Sequence, residues 1–404
     1  MFYMNTKILS SALFCFTCLI ASAFSSELRT WTSASDPSQT FEGKLLEYND
    51  YTGMVTVDRG DRRLTFNQNV LSAQDIAYVQ AEGPKLKQAA SPTRGGSAAV
   101  SGAIPDQLPD PDGKEANLHK PVQVFILMGQ SNMLGFGNVN QLKGVAADKY
   151  PYLVDEAGNW NVRKDVRNVF FNNGSLSTND WMAVSNRNNI GTEIALGNYL
   201  GHVIDAPVLI LKSCVGNRAL GWDLLPPSAV GTGKDGRSYE GDSKYGNRIL
   251  STQSKTDKGG WYAGLQYDLD VGVAQDALEE LSTYYPGATE YEVAGFFWWQ
   301  GCSEGKGSVE NYDKNLAFLF NDLKKDFNAP NAKFVCATLG EQDKEATLSR
   351  KMFSFAEANK DADVFYSKPV SKGGSCSHYG KDAETYMNVG EGMAKKMVEL
   401  LSGK

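Results

Sequence analysis

The chain has 404 residues, with 40 Lys and Arg against 47 Asp and Glu, a formal net charge of −7. Hydrophobic residues make up 42% and charged residues 22%, a globular composition long enough for one large domain and a smaller one. The acidic balance excludes a general affinity for nucleic acid or anionic lipid, because phosphate binding needs a basic surface.

Residues 1–25 read as a signal peptide. Lys7 is the only charge there, residues 8–20 are mostly apolar, and Ala21-Ser22-Ala23 supplies a small-residue cleavage site. No later segment reaches transmembrane length, so the expected mature protein is secreted or periplasmic and spans no membrane. Residues 26–82 carry short β-rich runs at 41–48, 53–57 and 63–66, separated by turn residues at Asn49-Asp50 and Gly60-Asp61. Alternation at this spacing predicts a small all-β antiparallel barrel. It resembles the SH3-like modules that stand beside hydrolase domains in exported bacterial proteins, which implies attachment or protein contact. Residues 83–118 are dominated by Ala, Ser, Gly and Pro, which predicts a flexible linker.

Residues 119–404 alternate between strand and helix signals. Strands are expected at 122–128, 207–213, 291–299, 333–339 and 363–368, and helices at 191–203, 265–285, 311–327, 345–358 and 380–402. Such alternation implies a parallel sheet of about five strands with helices on both faces, a three-layer α/β/α domain of flavodoxin-like order. The stretches 139–190 and 217–260 read as long irregular segments of the kind that form sites or lids.

Three strand ends carry the chemistry. The apolar run Val122-Gln123-Val124-Phe125-Ile126-Leu127-Met128 delivers Gly129-Gln130-Ser131-Asn132-Met133, which places a hydroxyl at the carboxyl end of a buried strand. A second strand runs into Ser213-Cys214-Val215-Gly216-Asn217, and a third ends in Trp298-Trp299-Gln300-Gly301. In a flavodoxin-like order these strands are neighbours with the Ser131 strand in the middle. Ser131 is then a nucleophile candidate, with the N–H groups of Ser131 and Gly216 and the amide of Gln300 as oxyanion donors. The base should be a histidine. Only His119, His202 and His378 exist; the first is at the linker junction and the second within a predicted helix, so elimination favours His378. No metal or cofactor is expected, since no two histidines stand at metal-ligand spacing and no C-x-x-C pair remains after the signal peptide.

Four blocks in order make the resemblance specific. From about residue 120 to 400 the chain resembles SGNH-type hydrolases. More narrowly it is similar to the sialate O-acetylesterase-like enzymes and to carbohydrate esterase family six, which includes acetylxylan esterases. The blocks are 129–133, Val215-Gly216-Asn217 followed by Trp222, Trp298-Trp299-Gln300-Gly301, and His378-Tyr379. The resemblance implies removal of acetyl groups from sugar hydroxyls by a serine mechanism without metal. Asn132, Asn217, Trp222 and Trp299 are expected to line the substrate site, with Trp298 a further candidate; the alternative is that one of Trp298 and Trp299 is core, since successive strand residues face opposite ways.

Two departures stand out. The family's third block usually continues Gln-Gly-Glu-Ser-Asp, but here it reads Gln300-Gly301-Cys302-Ser303-Glu304. The family commonly places Asp two or three residues before the histidine, where this chain has Cys376 and Ser375. Both usual carboxylates are missing. Cysteines stand at or beside both places, which suggests a Cys302–Cys376 disulfide clamping the histidine loop; two unpaired thiols are the alternative. Cys214 and Cys336 are expected to pack as small hydrophobes. For the second ring nitrogen of His378 the choice lies between a backbone carbonyl or water, leaving a Ser–His dyad, and Glu304 as third member. The expected activity is an exported carbohydrate O-acetylesterase acting on an acetylated sugar such as sialate, xylan or another glycan. The alternative is a catalytically weakened glycan-binding protein of the same fold.

Overall fold

The structure, a computed structural model, describes residues 27–49, 54–60, 63–90, 100, 105–184, 188–232, 238–240, 263–304 and 309–403. The expected signal peptide lies outside the described residues, as do most of the central part of the expected linker and most of the second irregular segment.

The N-terminal module is a four-stranded antiparallel meander of β1 (Leu28–Thr32), β2 (Thr40–Asn49), β3 (Met54–Asp58) and β4 (Arg63–Asn67), in that order. A helix, α1 (Ala73–Ala90), packs against β2. Trp31, Leu45, Tyr48, Val55, Val57 and Val79 form its own small core. The expectation of an all-β barrel is therefore corrected: the strands bury one face against a helix. That helix also runs past the boundary expected at residue 82. Described residues of the expected linker also meet the large domain. Val100 makes an antiparallel bridge to Ile204, and Leu108 is buried within the core of the large domain.

The large domain begins with β5 (Val122–Gly129), followed by the short helix α2 (Ser131–Leu134). The two-residue strands β6 (Gly137–Asn138) and β9 (Asn189–Ile190) pair with each other. Between them lie α3 (Val139–Lys149) and a long hairpin, β7 (Arg163–Asn172) and β8 (Ser175–Met182). The chain continues through α4 (Glu193–Val203), β10 (Val208–Cys214) and the small ribbon β11 (Val230–Thr232) with β12 (Ser238–Glu240). Then come α5 (Leu265–Glu279), α6 (Leu281–Tyr284), β13 (Tyr291–Trp299) and α7 (Tyr312–Asp326). The domain closes with β14 (Lys333–Ala337), α8 (Thr347–Glu357), β15 (Ala362–Phe365) and α9 (Ala383–Leu401).

The main sheet has seven strands in the order β15-β14-β13-β5-β10-β7-β8. All neighbours are parallel except the β7–β8 pair. The five strands predicted from sequence, taken alone, give the flavodoxin-like order 2-1-3-4-5 with β5 at the switch point. The correction is the added hairpin, which falls in the stretch read as irregular. Its turn is Asn173-Gly174, both residues at positive φ (50° and 81°), the geometry that a two-residue hairpin turn demands.

Why β5 lies at the centre is legible in its side chains. Val122, Val124, Ile126 and Met128 enter the core shared with α5, α7 and α8, whereas Phe125 and Leu127 enter the core shared with α4 and α9. A strand apolar on both faces needs cover on both, which produces three layers. Among the described residues no helix is long and apolar enough to cross a membrane.

Candidate active site

The turn after β5 is set by close backbone contact. Gly129 has φ +147°, and a Cβ there would meet the Trp299 carbonyl oxygen of β13 at 2.5 Å. Only glycine fits, and Gln130 N–H then donates to the same carbonyl at 3.3 Å. Ser131 follows as the first residue of α2, 8% exposed. The far end of this helix is anchored by Lys212 from β10. Its ammonium, 1% exposed, donates to the Leu134 carbonyl at 2.9 Å and to Glu193 at 2.8 Å. The other Glu193 oxygen accepts Gly191 N–H at 3.0 Å. The serine turn is thus held by β13 on one side and by a buried ion pair from β10 and α4 on the other.

Gly216, past the end of β10, faces the serine: a Cβ at this position would lie 3.7 Å from Ser131 Cβ. The loop it begins is stitched from below. Gln300 Nε2 donates to the Arg218 carbonyl (2.9 Å), to Glu304 (2.8 Å) and to Gln130 Oε1 (3.2 Å), while its own oxygen accepts the Tyr312 hydroxyl at 2.7 Å. An amide has two hydrogens, and three acceptors already compete for them. Gln300 is fully buried, so its expected role as an oxyanion donor is corrected to that of a strut. Glu304 accepts the N–H groups of Leu220 and Gly221 as well as the Gln300 amide. Beneath the same loop Arg218 donates to Gln266, which donates to Asp270 at 2.9 Å. Burial pushes the Asp270 carboxyl up to about 7.

His378 comes from a tight turn between β15 and α9. Its ring stacks on Phe136, centroids 4.0 Å apart and planes within 10°. The turn packs against α2, which brings the histidine to the serine helix. Burial lowers its pKa first, and the charge of Lys381 lowers it further. The ring is therefore neutral at neutral pH, the state a general base needs. Among the described residues no hydrogen bond or ion pair reaches this ring. Glu304, committed to the 218–221 loop, is corrected as a third member by the same observation. Cys302 and Cys376 are joined in a disulfide with Cα atoms 5.6 Å apart, tying the turn to the end of β13.

The residues expected to line the substrate site divide. Asn217 is exposed, at φ 58°, and accepts the Ser303 hydroxyl at 3.2 Å. Asn132, Trp222 and Trp299 are buried. Asn132 is sealed with neither amide atom partnered. Trp222 packs with Leu225, Ala229 and Ala263, and Trp299 stacks on Tyr379 with its indole N–H on the Thr338 carbonyl at 3.1 Å. Trp298 is likewise in the core, donating to Tyr312 at 3.0 Å. Cys214 and Cys336 are free and buried, their thiols pushed far up by desolvation. His119 is exposed, and His202 stands on the surface of α4. Sequence reading missed Lys212, Glu193, Gln130, Tyr312 and Asp270. A lysine within an otherwise apolar strand was the one available signal among them.

Residues 263–399 match the family model described as SASA, carbohydrate esterase, sialic acid-specific acetylesterase. The matched stretch contains Gln300, both disulfide cysteines and His378; Ser131 and Gly216 precede it. No curated protein matches the chain. Among solved structures the chain is similar to an Arabidopsis thaliana protein, at 14% identity over 69% of this chain and 98% of that one, with a TM-score of 0.44. It is also similar to a carbohydrate acetylesterase from Xanthomonas citri, at 15% identity, covering 70% of this chain and TM-score 0.44. The chain spans 57% of the length of that Xanthomonas protein. NanS gives 13% identity over 63% and 75% of the two chains, with a TM-score of 0.33.

Proposed function

We propose that the chain is an exported serine esterase of the SGNH type that removes acetyl groups from sugar hydroxyls. The observation that carries this reading is the meeting of Ser131 and Gly216, at the carboxyl ends of the neighbouring central strands β5 and β10, with the His378 turn that follows the edge strand β15 and packs on α2. The match of residues 263–399 to a carbohydrate esterase family model supplies the substrate class.

In the assigned mechanism His378 takes the Ser131 proton as the hydroxyl oxygen attacks the acetyl carbonyl carbon. The carbonyl oxygen becomes an oxyanion held by the N–H groups of Ser131 and Gly216. The protonated histidine returns its proton to the departing sugar oxygen, leaving acetyl-Ser131. Water, deprotonated by His378, then attacks the acetyl group, and the proton returns to Ser131 as acetate leaves. Gln300 and Glu304 shape the Gly216 loop. The base acts within a Ser–His dyad. The sugar, whether sialate, xylan or another acetylated glycan, is read by segments 139–190 and 217–260. The N-terminal module serves protein or surface contact.

Acetate release from nitrophenyl acetate and from a panel of acetylated glycans tests the reading. Wild type should turn over and Ser131→Ala should not; equal rates sink it. A second reading has its own observation. The His378 ring lacks a carboxylate partner among the described residues, and losing that partner costs serine proteases on the order of 10⁴-fold. A glycan-binding protein with vestigial chemistry would bind acetylated glycan as tightly with Ser131→Ala as without, and release no acetate in either form.

A further inference from the structure

His378 sits in a backbone that resists staying as it is. His378, Tyr379, Gly380 and Lys381 all have positive φ, at 55°, 54°, 59° and 65°. Left-handed backbone is unfavourable for every non-glycine residue, and such a turn persists only where its surroundings over-determine it. After the turn, Asp382 accepts Thr385 N–H at 2.8 Å and opens α9. Within it, Tyr379 stacks on Trp299, centroids 5.3 Å apart, and its hydroxyl accepts Gly340 N–H at 3.3 Å.

The hold before the turn is made by a carboxylate from another strand end. Glu341, just past β14, accepts Ser375 N–H at 2.8 Å with one oxygen and the Ser375 hydroxyl at 2.6 Å with the other. Ser375 is fully buried and stands three residues before His378. A two-point, charge-assisted grip of this kind fixes direction as well as distance. The neighbouring residue, Cys376, carries the disulfide to Cys302. Glu341 and the disulfide thus grip adjacent residues from β14 and β13, which leaves the backbone between 376 and 378 little freedom to unwind.

We propose that Glu341 is a positioning residue for His378, holding the entry to the left-handed turn so that the imidazole stays over Phe136 beside the serine helix. It acts through Ser375 and the backbone and touches neither the ring nor the substrate. The inference rests on His378 being the base of the proposed esterase.

The test uses the full chain with nitrophenyl acetate. Glu341→Ala should lower kcat about ten- to hundredfold with KM nearly unchanged, the cost of a base displaced by about an ångström. Glu341→Gln should recover most of that loss, because an amide still offers an oxygen to Ser375 N–H and an N–H to the Ser375 oxygen. In a His378→Ala background, adding Glu341→Ala should cost nothing more. An unchanged kcat in Glu341→Ala overturns the inference. So does a Gln variant as slow as the Ala variant, which would make the charge itself the agent. A further loss in the His378→Ala background overturns it too. Fast Glu341→Ala with slow Ser131→Ala brings down the inference alone, whereas a fast Ser131→Ala brings down the esterase reading and the inference with it.

Discussion

The two halves of the site are held by different means. Ser131 stands at the centre of the sheet, where Gly129 is pressed against the backbone of β13 and Lys212 anchors α2 through a fully buried ion pair. His378 stands at the margin, in a left-handed turn gripped by a disulfide, a bidentate Glu341 contact and a stacked tyrosine. The place of Ser131, the proposed nucleophile, is therefore a property of the fold, inseparable from sheet formation. The place of His378, the proposed base, depends on side-chain clamps that can be removed one at a time while the sheet remains.

That contrast can be broken or sharpened by substitution. The largest effect should come from Ser131→Ala, which should reduce acetate release by at least about 10⁴-fold while leaving the thermal unfolding curve in place. Next, Lys212→Met strands the Glu193 carboxylate in the core. It should lower stability by about 3–5 kcal/mol in urea unfolding, because a buried charge without its partner is expensive. A loss near zero would mean that the serine half is not held by this pair. Smaller still is replacement of both Cys302 and Cys376 by serine. Opening a link across 74 residues should cost about 2–4 kcal/mol and slow turnover by about tenfold. If stability falls but turnover does not, the clamp serves the fold and not the base.

The smallest effect concerns pH. A general base works unprotonated, so kcat/KM should fall as pH drops through the pKa of His378. Burial and Lys381 both lower that pKa, which places the acid limb below the ordinary histidine value of about 6.5. Lys381→Ala removes the like charge and should move the limb upward, toward but not past the ordinary value, since burial remains. A limb that stays still or moves down would show that another group controls it. The buried Asp270, pushed up to about 7 under the Gly216 loop, is then the one to substitute next.

Much of this arrangement was readable without coordinates, and the failures have physical causes. The five core strands and the helices after them announced themselves through runs apolar on both faces and through helical periodicity. The β7–β8 hairpin did not, because Asn-rich, part-polar strands at a sheet edge lack that signal. Only Asn173-Gly174 marked the turn. Trp222 and Trp299 looked like sugar platforms yet are core, since a tryptophan beside a catalytic strand end is drawn inward as readily as outward. Glu304 was near enough in sequence to suggest a triad acid. In space the N–H groups of Leu220 and Gly221 claimed it. Glu341 offered no sequence cue, because its partner Ser375 lies on a different loop.

From its sequence alone the chain determined which hydroxyl ends the central strand, which strands flank it and where the histidine turn lies. Those follow from local pattern: an apolar run that must be buried, a glycine that alone permits the turn, and blocks in fixed order. Tertiary structure decided which groups are free to act. The Gln300 amide, the Glu304 carboxylate and the indoles are spent on internal partners, while Glu341 grips Ser375 at the entry to the His378 turn. Hydrogen-bond partnership depends on who is near in space and on which donors outnumber their acceptors, and neither quantity is encoded in spacing along the chain.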